Sequence, residues 1–403
     1  MKQKFISGLF TAVFLSIMTF GSSTLAAEFE ANDLKKIPSS DKAAEAGAFV
    51  KGEVIVQFKE GTSEKSKQKV LKGLNAKVKP DVDTVKSPFK VLEVGNVEAV
   101  VKALNKNPNV AYAEPNYKMS VTWSPNDTYA NPNYQYGLFT TYTDDAWNYA
   151  RGNSGQEIAV LDTGVDYRHE DLNDKTILGY DFVQNDYQPM DRNGHGTHVA
   201  GTAAAETNNA IGVAGMAPNT SILAVRVLDA RGSGSLADIA DGIIYAADYG
   251  AEVINLSLGC DCDTQTLENA VNYAWNNGSV VVAAAGNDGV STTFEPASYD
   301  NVIAVGAVDS NNQIASFSNY GPWVDVMAPG VDIASTYLRD GYVYMSGTSM
   351  ASPHVAGLAG LLAGQGRSNA EIRSAIENTA DYLSGAGYYF EDGLINSYDA
   401  VTY

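Results

Sequence analysis

The stretch Glu157-Ile158-Ala159-Val160-Leu161-Asp162-Thr163-Gly164 is a run of β-prone apolar residues closed by an acid and a glycine. A strand with one wet face alternates apolar and polar residues, whereas an unbroken apolar run is buried on both faces. Ile222 to Val227, Val253 to Leu258, Val280 to Ala284 and Val302 to Val305 have the same character. Helical spacing at His195 to Glu206, Ser235 to Tyr249, Thr264 to Asn277, Ser349 to Gln365 and Asn369 to Asn378 intervenes. The alternation predicts an α/β fold, a mostly parallel sheet flanked by helices, with ligands beyond the carboxyl ends of its strands. Asp162 therefore stands at the expected functional edge.

The chain has 403 residues, more than the roughly 250 of a large single α/β unit, so a second unit is expected. Charge marks the boundary. Residues 28 to 121 hold sixteen Lys against thirteen acids, net +3, while residues 122 to 403 hold nine basic against thirty-four acidic residues, net −25. An acidic domain whose single lysine is Lys175 argues against nucleic acid and anionic lipid as partners and suits cation binding. Upstream, Glu53 to Phe58, Phe89 to Val94 and Val110 to Glu114 read as strands, and Ser63 to Leu74 and Val97 to Leu104 as helices. That order predicts a small α+β, ferredoxin-like unit with its helices on one sheet face. Its lysines and lack of cofactor motifs point to a folding or inhibitory role. At the start, Lys2 and Lys4 precede the apolar run Phe5 to Phe20 and the small residues Ser22 to Ala27, the pattern of a secretory signal peptide. The expected organisation is a signal at 1–27, an accessory unit at 28–122 and the main domain at 123–403.

Gly347-Thr348-Ser349-Met350-Ala351-Ser352-Pro353-His354 places a serine where a helix begins, and the continuation Val355 to Leu362 is too apolar for the surface. The positive end of a buried helix favours a developing oxyanion at Ser349. Serine is also a preferred N-cap, so this segment alone leaves both readings open. Asn193-Gly194-His195-Gly196-Thr197-His198 sets one histidine between two glycines, which permit close backbone approach, and lacks the glutamate of a zinc protease motif. Aspartate, histidine and serine together can activate a hydroxyl, the imidazole taking its proton and the carboxylate fixing the ring. An aspartic-protease reading of Asp162-Thr163-Gly164 fails because no second such motif occurs. The only cysteines, Cys260 and Cys262, would pair in an oxidising compartment if the backbone is locally tight; free thiols are the alternative.

With Asp162-Thr163-Gly164, His195-Gly196-Thr197-His198 and Gly347-Thr348-Ser349-Met350-Ala351 in this order, the chain from about residue 123 resembles the subtilisin-like serine peptidases, especially their thermitase-like members. The unit before it resembles the family's inhibitory prosegment. The resemblance implies a secreted serine endopeptidase of broad specificity, made as a self-processed precursor cut between about Met119 and Pro125. It implies that Asp162 orients His195, that His195 is general base and then acid, and that Ser349 is the nucleophile. Asn287, closing Ala283-Ala284-Ala285-Gly286-Asn287, would join the Ser349 backbone amide in an oxyanion hole. Ser233-Gly234-Ser235 and Ser257-Leu258-Gly259 would be the edges that pair with an extended peptide. Gly259 and Gly286 would leave a wide pocket for a large apolar or aromatic residue before the cut.

The same resemblance implies structural calcium. A first site would take side chains of Asp127, Asp171 and Asn209 with the carbonyls of Glu206, Ile211 and Val213, and a second Asp181, Asp186, Gln188 and Asp191. Carbonyls of Ala297, Tyr299 and Val302 near Asp325 would hold calcium or a monovalent cation. Expected partners are polypeptide substrates and the chain's own prosegment, with no nucleic acid or membrane, and the resemblance implies a monomer.

Overall fold

The computed structural model describes residues 49–80, 87–117 and 123–403, with the backbone of Ala27–Glu28. The signal-peptide reading of residues 1 to 26 and the first part of the expected maturation region, Met119 to Thr122, lie outside the described residues. Residues 36–122 form one unit, and residues 123–403 belong to another, a division that falls next to the charge boundary.

In the first unit, Phe49–Phe58, Lys77–Val78, Lys90–Glu93 and Val110–Tyr117 form an antiparallel sheet in the order 77–78, 90–93, 49–58, 110–117. Its helices, Glu64–Gly73 and Val97–Asn105, start at side-chain caps: Ser63 accepts from Ser66 N and Asn96 from Ala99 N. Val54 and Val56, two apart on the long strand, join Leu92, Val100 and Leu104 in one core, and Val70 and Leu71 of the other helix pack against it.

The second unit is built on an eight-stranded sheet in the order 393–394, 326–329, 302–308, 280–284, 253–256, 157–162, 221–226, 176–181. Every neighbouring pair is parallel. Burial on both faces is visible in Glu157–Asp162: Ile158 and Val160 enter one core cluster, Ala159 and Leu161 the other. Helices His195–Ala204, Thr348–Ala363 and Asn369–Asn378 contribute to the first cluster, and Leu236–Tyr249 and Gln265–Asn276 to the second. The mostly parallel α/β architecture expected from sequence is present.

Several strands escape the sequence reading, among them the two-residue Lys77–Val78 and Gly393–Leu394. Thr176–Asp181 is a sheet edge with Leu178 exposed, so it lacks the continuous apolar signal. Val326–Pro329 is four residues long, and the hairpin Ile333–Tyr337 with Gly341–Met345 stands outside the main sheet. The last large helix begins at Thr348 rather than at Ser349, with extended Gly347 in the capping position. Gly357 lets it pack closely, since a Cβ there would meet Ala203 O and Met216 Cβ.

Candidate active site

Strand Glu157–Asp162 lies between Val253–Leu256 and Ser221–Arg226, where the sheet order changes direction, and Asp162 ends it. That is the crevice position of open parallel sheets. Asp162 is fully buried, its Oδ1 accepts the Thr163 N–H (2.7 Å), and His195 Nδ1 lies 2.8 and 3.0 Å from its two oxygens. Burial alone would lower the His195 pKa. The charge and hydrogen bond of Asp162, aided by Asp191, outweigh burial and raise it above the usual imidazole value. The His195 side chain remains 17% exposed, so its outer nitrogen has access to the cleft.

The loop before His195 is closed by Asp191. Its Oδ1 accepts from Thr163 Oγ1 (2.9 Å), Asn193 N (2.8 Å) and Gly194 N (3.0 Å), and its Oδ2 from Thr197 N (3.0 Å) and Thr197 Oγ1 (2.6 Å). Thr163 Oγ1 accepts in turn from Gly196 N (3.0 Å). Gly194 has φ 106°, a left-handed conformation that favours glycine. Two further histidines, His198 and His354, stay neutral. Burial pushes His198 down to about 3 and His354 down to about 4, and each places one ring nitrogen on a carbonyl, Ile333 O or Met350 O (2.9 Å both).

Ser349 is the second residue of helix Thr348–Ala363 and the only one of its sixteen that is not buried. It is not the N-cap. Pro353 has no N–H to donate to the Ser349 carbonyl four residues earlier. Ser257 Oγ donates to it instead (2.8 Å), and Asn255 Nδ2 donates to Ser257 Oγ (3.0 Å). Ser352 Oγ donates to Asn255 Oδ1 (2.7 Å), so strand Val253–Leu256 and the helix are cross-tied by polar groups. Ser349 Oγ donates to Ser257 O (3.2 Å) rather than to His195; such bonds often tighten only when substrate is bound.

Asn287 follows the carboxyl end of strand Val280–Ala284. Its Oδ1 accepts from Thr348 N (2.8 Å) and Thr348 Oγ1 (3.0 Å), which fixes the amide so that Nδ2 is the outward group. Among the described residues, neither Asn287 Nδ2 nor the Ser349 N–H has a hydrogen-bond acceptor. The site therefore holds two unpaired donors at a helix start, a hydroxyl and a carboxylate-paired imidazole, the set needed for acyl transfer.

The predicted cleft edges follow the strands on either side of Glu157–Asp162. Ser235 caps helix Leu236–Tyr249 through Asp238 N (3.1 Å), and Asp229 Oδ1 accepts from Ser233 N (3.1 Å), with Gly234 exposed between them. Leu258 is half-buried against the second core cluster. Gly259 and Gly286 do not open free space. A Cβ at either would meet the Phe294 ring, so the wall expected to be wide is lined by an aromatic side chain. Phe294 was missed because one aromatic in a Ser/Thr loop carries no periodic signal. Cys260 pairs in a β-bridge with Glu295, and Cys260 and Cys262 have Cα atoms 5.2 Å apart with their sulfurs together.

The candidate cation ligands separate into different groups. Among the described residues no three His, Cys, Asp or Glu side chains converge as a metal site. For the first set, Asp127 accepts from Asn208 N, and Asp171 from Asn209 Nδ2 (2.7 Å) and Val213 N (2.9 Å). Burial, with the charges of Asp127 and Glu206, pushes Asp171 up to about 7. Two buried carboxylates from separate segments, with an amide and nearby carbonyls, fit a hard cation. In the second set, Asp181 is buried against Arg226 (2.9 Å), and Asp191 holds the hydrogen bonds described above. Asp186 Oδ1 accepts from the exposed Gln188 N (2.8 Å). In the third set, Asp325 accepts from Ala304 N (2.7 Å) and pairs with Arg373 (3.1 Å), while Tyr299 O accepts from Val302 N (3.0 Å); Ala297 is buried beside them in the second cluster.

The Subtilase family model matches residues 153–394, and the Fervidolysin N-terminal prodomain model matches residues 35–116. The chain belongs to the subtilase family and is a subtilisin-like serine protease with a prodomain. It is 67% identical to a thermophilic serine proteinase of Bacillus sp. (strain AK1) over 407 residues, covering 100% of both chains. Identity to thermitase of Thermoactinomyces vulgaris is 58% over 269 residues, 67% of this chain and 96% of that protein. Among solved structures, a protease of Pseudoalteromonas arctica PAMC 21717 superposes with a TM-score of 0.63 at 35% identity, over 70% of this chain and 99% of that one.

Replacing Asp191 by Asn sets an NH2 group against a donor at Thr197 or Thr163. The Asp191→Asn protein is expected to lose about 2–4 kcal/mol of stability in guanidinium unfolding, equally with calcium or with chelator. A loss seen only with calcium present would mark Asp191 as a ligand instead.

Proposed function

We propose that the protein is a secreted endopeptidase in which Ser349 attacks the scissile carbonyl, His195 takes its proton and returns it to the leaving amine, and Asp162 holds the imidazolium. The observation that carries this reading is the Asp162–His195 pair at the sheet's switch point, its His195 helix packed against the helix Thr348–Ala363 whose one unburied residue is Ser349. Asn287 Nδ2 and the Ser349 N–H are the oxyanion donors; loss of one such donor typically costs about 10²–10³ in turnover. The peptide lies extended between Ser233-Gly234-Ser235 and Ser257-Leu258-Gly259, which select little beyond the residue before the cut. That residue is apolar, in keeping with Phe294 behind Gly259 and Gly286, and the ring limits its size.

Residues 28–122 form the prosegment, which assists folding, inhibits the peptidase at 123–403 and is cut off by it, after a signal at 1–27 directs export. Export supports a disulfide between Cys260 and Cys262 that stiffens the cleft edge. Structural calcium is held by Asp127, Asp171 and Asn209 with carbonyls of Glu206, Ile211 and Val213, tying three segments together. The enzyme acts as a monomer on polypeptides, and its acidic surface does not favour nucleic acid or membranes.

Expression of the precursor with and without Ser349→Ala tests the whole reading. The parent should lose its prosegment by mass and react with a fluorophosphonate, and the Ser349→Ala chain should do neither; processing of that chain in pure form would sink self-cleavage. The base must be neutral to accept a proton, so kcat/KM should rise with pH on a limb above the usual imidazole value. Asp162→Asn should move the limb to lower pH while reducing kcat by about 10⁴. A chelator should lower the melting temperature by roughly 10 °C, and Asp127→Ala should remove that response. Phe294→Ala should raise the preference for Phe over Leu before the cut by about tenfold, measured as a kcat/KM ratio.

A further inference from the structure

A groove between the turn Asp309–Gln313 and the segment from Tyr382 to Phe390 lies apart from the triad and the candidate cation sites. Its volume is about 550 Å³, and no charged side chain lines it. In a domain of net charge −25, that neutrality argues against an ionic ligand. One wall is tyrosine. Tyr382 is 81% exposed, and Tyr389 stands edge-on to Tyr320 (5.1 Å) and to Tyr388 (4.7 Å). The facing wall carries the amides of Asn311, Asn312 and Gln313, and the side-chain amides of Asn311 and Asn312 have no partner among the described residues.

Both walls are held from behind. Asp309 Oδ1 accepts from Asn311 N (2.8 Å) and Gln313 N (2.9 Å). Fully buried Phe390 anchors the tyrosine segment in a cluster that Ile314 and Leu383 extend. The floor includes Gly289, two residues after Asn287, whose N–H donates to Phe317 O (2.8 Å), so groove and active site share one stretch of chain.

We propose that this groove docks a proline-rich, polyproline II segment of the polypeptide substrate. Such a segment makes no internal hydrogen bonds, so its carbonyls are open to amide and hydroxyl donors. Its rings pack on aromatic faces, and its stiffness keeps the entropic cost of binding low. The choice of a polypeptide as occupant rests on the peptidase reading of the neighbouring site. Tethering makes even a weak contact effective, because a short flexible spacer gives an effective concentration of about 1 mM.

The test compares two fluorogenic peptides with the same scissile segment and a Gly/Ser spacer, one ending in about ten prolines and the other in Gly/Ser, with tails tried on either side. In one polarity the proline tail should raise kcat/KM about fivefold through KM. Tyr382→Ala should bring that ratio to one, and Tyr382→Phe should retain most of it. Asn311→Ala, on the other wall, should also lower it. Anisotropy of a fluorescent oligoproline on the Ser349→Ala protein reads the groove without catalysis. Equal kcat/KM for both tails, or no oligoproline binding, overturns the proposal, as does binding of neutral cellohexaose in place of oligoproline. If the short peptide is not cleaved while oligoproline still binds, the catalytic reading fails and the groove stands.

Discussion

The constraint on which the structure depends is the burial of a helix that has no polar face. Thr348–Ala363 hides every residue but Ser349, so each of its polar groups must find a partner inside the protein. Strand Val253–Leu256 supplies them through Asn255, and the adjoining loop through Ser257. The carbonyl left without a helical donor by Pro353 is that of Ser349, and the hydroxyl that satisfies it comes from the predicted cleft edge. Packing and site geometry are thus one problem: the bonds that permit burial also fix the height of the serine against the sheet.

A second network does the same for the imidazole. Asp191 gathers five donors from Thr163, Asn193, Gly194 and Thr197, and so links the residue after Asp162 to the first turn of the His195 helix. Each half of the Asp162–His195 pair is then held from two sides. With Thr348 orienting Asn287, every group of the site has a positioning partner one layer out. These partners matter because displacing reacting groups by about 1 Å can cost about 10² in rate.

Much of this was legible in the residues. Continuous apolar runs revealed the five central strands, because burial on both faces removes polar residues from the run itself. Asp162, His195, Ser349 and Asn287 were singled out as candidates because each stands beside a strand end or helix start with glycines around it. Edge strand Thr176–Asp181 and the hairpin after Asp332 were not, since exposure leaves their sequences mixed. Asp191 stood out in the sequence only as a candidate oxygen ligand, and its part in closing the loop was not legible. Its chemistry is the same in both roles, and only the positions of Thr163 and Thr197 distinguish them.

By itself the sequence determined the layers and the family, and it pointed to a boundary near residue 123 and to the candidate reacting groups, because composition and periodicity report burial and motifs report local backbone. Tertiary structure alone decided that Phe294 lines the wall behind Gly259 and Gly286, and that Asp181 answers Arg226. It alone placed Tyr382 and Tyr389 opposite Asn311. The reason is physical: these contacts join residues far apart in the chain, and no local propensity records which distant side chain fills a given space.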